Sequence, residues 1–159
     1  GHLAGTVGTL WNSPLVRETL QIPSGEDRPD GMILGYPVIT SGAYTHEDSI
    51  KFLLGEDRYQ DEKEREKVSV EKLVNRDTPK AFLWHTFEDD LVPVENTLKM
   101  ADALRKEGVL FEMHIYPHGP HGLAICDETT VDVKENLNPY AAYVSSWVEH
   151  CIRWIREVL

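Results

Sequence analysis

The chain has 159 residues, the length of one domain or of a piece of one. Apolar side chains make up 41% of it, enough for a buried core, and its longest apolar runs are far too short to span a bilayer. With 27 acidic against 16 basic side chains the net charge is −11, which repels phosphate backbones and argues against a nucleic-acid partner.

Elements alternate along the chain, helix then strand, and that order predicts a parallel sheet with helices packed on it. The chain opens on Gly1 with no methionine and reads as the continuation of a longer sequence. A short helix is expected over His2 to Trp11, with Leu3, Val7, Leu10 and Trp11 on one face and Asn12-Ser13-Pro14 as its stop. MILGYPVI, 32–39, follows the turn signal Pro29-Asp30-Gly31 and is expected as a buried strand. Residues 40–76, with the charge cluster DEKEREK at 61–67, read as a mostly helical excursion or lid outside the sheet. AFLWHT (81–86) is a second buried strand. A helix entered at Pro93 and running to about Lys106 follows, closed by Gly108. VLFEMHIY (109–116) is a third strand, with Phe111, Met113 and Ile115 alternating against Glu112, His114 and Tyr116. A last helix is expected from Asn138-Pro139, its stripe being Val144, Trp147, Val148, Cys151, Ile155 and Val158.

Two loops beyond these strands carry the chemistry, where an α/β sheet places its sites. HTFEDDLVP (85–93) offers carboxylates, and PHGPHGLA (117–124) offers histidines between glycines that let the backbone bend. A carboxylate orienting a histidine that takes a proton from a nucleophile is the arrangement for acyl transfer. The pair His118-Gly-Pro-His121 does not read as a metal site: zinc needs three or four converging ligands, and the intervening proline breaks any helix that would align two. His85 is expected to make a structural hydrogen bond, and His114 to be an ordinary strand residue. The four tryptophans read as packing residues. Cys126 and Cys151 read as buried free thiols, which suit a reducing, cytoplasmic setting.

From Asp30 onward the segments PDGMILGYPVITSG, FLWHTFEDDLVPVENTLKMADALRKEGV and HIYPHGPHGLA resemble the second half of an α/β-hydrolase, most like the acetyl-esterase and lipase branch related to acetylxylan esterases. The resemblance implies that residues 1–159 are the C-terminal part of one such domain. The acid loop resembles H-T-x-x-D-x-x-V-P, which implies Asp89 as the triad acid, with Asp90 the fallback if the register differs by one. The histidine loop resembles P-x-G-x-H-G-[LF], which implies His121 as the base. Gly1-His2-Leu3-Ala4 matches the tail of the elbow G-x-S-x-G-G-H-L-A, which implies a nucleophilic serine just upstream of Gly1, with His2 bracing the elbow. No G-x-S-x-G lies inside the chain. Lacking the serine costs on the order of 10⁶ in turnover, so these residues alone are expected to be silent toward esters.

The implied reaction is hydrolysis of a small-molecule ester, such as an acetylated sugar, with no cofactor and no metal. The implied partner is the N-terminal half of the same domain, and the exposed strand edge near Ile33 invites pairing with it or with a second copy. A dienelactone-hydrolase-like or peptidase branch of the same fold is the alternative, and a non-catalytic fragment acting by binding is another.

Overall fold

Lys80–Thr86 forms a strand, β2, in which six of seven residues are buried. It is flanked in parallel by β1 (Gly31–Gly35) and β3 (Phe111–Tyr116), in the order β1-β2-β3. The computed structural model describes residues 1–21, 23, 25–127, 130 and 140–159. Because side chains alternate across a strand, β2 feeds two cores. Ala81 and Leu83 face Met32, Leu34, Val70, Met100 and Leu104 on one side. Phe82 and Trp84 face Tyr116, Val144, Cys151 and Trp154 on the other.

Helices α1 (His2–Leu10), α6 (Val70–Leu73) and α7 (Glu95–Lys106) cover the first face, and α8 (Ala141–Val144) and α9 (Ser146–Val158) the second. The expected start of the last helix at Asn138-Pro139 falls outside the described residues. Its stripe is also corrected. Trp154 is buried with Cys151, whereas Ile155 is 43% exposed.

In α1 the apolar face is not the one that packs on the sheet. The helix turns Gly5, Gly8 and Thr9 inward and leaves Leu3 and Val7 exposed. The reason is close approach: a Cβ at Gly8 would fall 2.0 Å from the Met32 sulfur, so a larger residue would force that buried side chain of β1 to move. Leu10, Trp11 and Val7 instead join α2 (Pro14–Leu20), which the sequence did not announce, around an apolar cleft of about 210 Å³.

β1 is shorter than expected. Tyr36 takes φ +34° and Pro37 has no N–H to give, so the ladder ends after the Tyr36 N–H reaches Trp84 O at 2.8 Å. The excursion is helical as read, comprising α3 (Glu47–Leu54), α4 (Glu56–Tyr59), α5 (Glu62–Lys67) and α6. Its base is tied down: Asn96 Oδ1 accepts from the N–H groups of Ile39 and Thr40, and its amide donates to Tyr44 O at 2.8 Å. α7 ends in a Schellman motif, with Gly108 at φ +73° and the N–H of Val109 on Leu104 O at 2.9 Å. Among the described residues no helix is long and apolar enough to cross a membrane.

Candidate active site

The carboxyl ends of β2 and β3 lie side by side, Thr86 opposite Tyr116, and each runs directly into one of the two polar loops. The Phe87 N–H donates to Tyr116 O at 2.7 Å, which locks the start of the acid loop to the neighbouring strand. The loop then folds back on itself through Asp89. Its Oδ1 accepts from the N–H groups of Leu91 (3.1 Å) and Val92 (2.8 Å). Its Oδ2 accepts from His121 Nδ1 at 2.7 Å and from His85 Nε2 at 3.2 Å. The side chain of Asp89 is fully buried, and all four bonds point at its carboxylate.

Burial is the largest influence on the Asp89 carboxyl and pushes its pKa up. Hydrogen bonds from His85, Val92 and His121 outweigh it together and hold the group below its ordinary value. The site therefore keeps a carboxylate ionised inside the protein by saturating it with donors.

His85, also fully buried, fixes one of those donors. The Val92 carbonyl, 2.8 Å from His85 Nε2, can only accept, so Nε2 carries hydrogen and shares it between Val92 O and Asp89. In the neutral ring Nδ1 then accepts from the Thr97 hydroxyl at 2.7 Å. The hydrogen bond expected of His85 is there, and it reaches Asp89.

The histidine loop needs unusual backbone. Gly119 has φ +129°, and a Cβ there would also meet Leu123 at 2.7 Å. Gly122, Ala124 and Cys126 also have positive φ, and two of these are not glycine. The loop is held in that shape from both sides. The Ala124 N–H donates to Tyr36 Oη at 3.1 Å, and Trp147 Nε1 donates to Ala124 O at 3.0 Å. Glu88 straps the loop from the other side, accepting from His118 Nδ1 at 2.8 Å and from the Gly119 N–H at 3.2 Å. Asp90 is exposed and plays no part in this arrangement.

His121 is left with one edge free. Its Nδ1 is committed to Asp89, its ring packs edge-on to Tyr36 with centroids 4.9 Å apart, and Nε2 has no partner among the described residues. Tyr36 and Ala124 also line a cleft of about 360 Å³ with Gly1, Gly35, Trp84 and Trp147. A larger polar cavity of about 570 Å³, between the excursion and α7, includes neither Asp89 nor His121. Sequence reasoning brought Asp89 and His121 to adjacent loops and missed Tyr36, whose role depends on the backbone turn that ends β1.

A parallel sheet covered by helices on both faces, with polar loops beyond its carboxyl ends, is the architecture of an α/β-hydrolase. The pattern of the prolyl oligopeptidase family matches residues 28–150, and the chain belongs to that family. It is 46% identical over 101 residues to endo-1,4-beta-xylanase B of Butyrivibrio fibrisolvens, a match spanning 64% of this chain and 16% of that protein. Among solved structures it is similar to an acetyl ester-xyloside bifunctional hydrolase from Caldicellulosiruptor lactoaceticus, at 40% identity and TM-score 0.68, covering 95% of this chain and 53% of that one. A carboxylesterase from Lactobacillus plantarum matches at 27% identity and TM-score 0.78, covering 99% of this chain and 55% of that one. The chain thus spans about half the length of these solved relatives.

Proposed function

We propose that this chain supplies the acid and the base of a serine esterase, Asp89 and His121. The observation that carries the reading is the 2.7 Å bond from His121 Nδ1 to a buried, ionised Asp89, which leaves Nε2 open. The serine stands in sequence preceding Gly1. Gly1 supports that placement, since it shares the cleft with Tyr36, on which His121 packs.

In this reading Nε2 takes the proton of the serine as it attacks an ester carbonyl, and Asp89 stabilises the imidazolium that forms. His121 then gives that proton to the departing alcohol. It next takes one from a water that attacks the acyl-enzyme, and returns it to serine as the acid leaves. The substrates are small acyl esters, acetyl groups on xylose-containing sugars first among them, in line with the name of the Caldicellulosiruptor relative, an acetyl ester-xyloside hydrolase. The excursion, tied to α7 through Asn96, frames the alcohol or acyl side of the pocket. Residues 1–159 are the C-terminal part of a single domain.

The test uses the longer protein that includes the serine. Asp89→Asn is expected to lower ester turnover about 10⁴-fold, and His121→Ala to lower it on the order of 10⁶-fold. Ester hydrolysis that survives His121→Ala would sink the assignment of the base. The family match favours one second reading, a peptidase, and comparing an aryl acetate with a prolyl anilide on the same protein separates the two.

A further inference from the structure

Away from the dyad, β3 and α9 bring three metal-ligating side chains together. Glu112 and His114 are two apart on β3 and so share a face of the strand, and His150 of α9 lies across from them. One ligand atom from each lies within 4.8 Å of the other two, and all three residues are half-buried. His114 Nε2 bonds Glu112 Oε1 at 2.8 Å. His150 has no hydrogen bond among the described residues, only a stacked contact on His114 with centroids 4.5 Å apart and planes 15° apart.

We propose that Glu112, His114 and His150 bind one divalent transition ion of the zinc class, joining β3 to the helix that covers it. Two imidazole nitrogens and one carboxylate oxygen are a zinc donor set, with room for water as a fourth ligand. Imidazole donors also favour zinc, nickel or copper over calcium and magnesium, which take oxygen. Near-parallel rings cannot both hold one ion in their planes, so one ring must turn. His150 is that ring, because among the described residues it has no hydrogen bond to lose. His114 is held by Phe82, whose ring centroid is 5.3 Å away. The cluster shares no residue with the Asp89–His121 pair, and the ion takes no part in ester chemistry.

The experiment is calorimetric titration of the EDTA-treated, tag-free chain with zinc, paired with thermal unfolding. One equivalent of zinc is expected to bind saturably and raise the unfolding midpoint, while magnesium and calcium do neither. His150→Ala and Glu112→Gln, each with native circular dichroism, are expected to weaken binding about tenfold or more. Cobalt should give a visible absorption band that disappears in His150→Ala. No saturable binding up to millimolar zinc overturns the proposal, as does His150→Ala binding with the parent affinity.

Discussion

Asp89 shows how one buried carboxylate can tie a loop to itself and to a neighbouring loop. Four donors converge on it, two from its own loop and two from histidines, so its ionised form is favoured in the folded chain. The sign of the pH dependence follows. A carboxyl whose pKa falls on folding contributes stability above its unfolded value, about 4, and that contribution is lost as pH falls through the lower folded value. The urea midpoint of the chain is therefore expected to drop through the acid range, and Asp89→Asn should flatten that drop while lowering the midpoint at neutral pH. An equal acid drop in the variant would assign the effect to other carboxyls. Asp89 and His121 were legible as a facing pair because each stands in a polar loop directly after an apolar strand, and the two strands lie side by side. The saturation of Asp89 by His85 was not, because it depends on Val92 and Thr97 converging on one ring.

At the scale of elements, all three strands and the main helices were legible from apolar periodicity, and the faces of α1 and α9 were not. Periodicity counts large apolar residues, but at α1 the tight approach to β1 selects glycines and leaves Leu3 in solvent. In α9 the stripe leans toward Trp154, which packs beside Phe82 on the same face of the sheet with ring centroids 5.9 Å apart. Trp154→Ala is expected to cost about 3–5 kcal/mol by leaving a cavity, and Ile155→Ala less than about 1 kcal/mol. Chemical unfolding of both variants checks this, and equal losses would show that the stripe was read correctly from sequence. The thiol of Cys151, beside Trp154 in the same layer, is pushed up by burial and then by Glu112. It is expected to resist iodoacetamide in the folded chain and to react once unfolded.

For the whole molecule, the sheet belongs to a hydrolase architecture whose solved relatives are about twice as long, and its two cores meet at β2. That central strand is joined to its neighbours by connections of unequal length. The register sets Ala81 against Phe111, roughly 30 residues on, but Gly31 against Lys80, roughly 50 residues on with the excursion between. Closing the longer loop costs only about 0.4 kcal/mol more in chain entropy, so length alone does not decide the order of assembly. The contents of the loops do. The β2–α7–β3 unit contains one helix of 12 residues closed by a Schellman motif, whereas the β1–β2 crossover must first gather four short helices, none longer than eight residues. The folding nucleus is therefore expected in the later unit. Substitutions at Leu83 and Leu104 should slow refolding, and those at Ile50 and Leu54 should mainly speed unfolding. On a ribosome β1 would thus emerge roughly fifty residues ahead of β2, and the pairing between them must wait for the helices of the crossover to take shape.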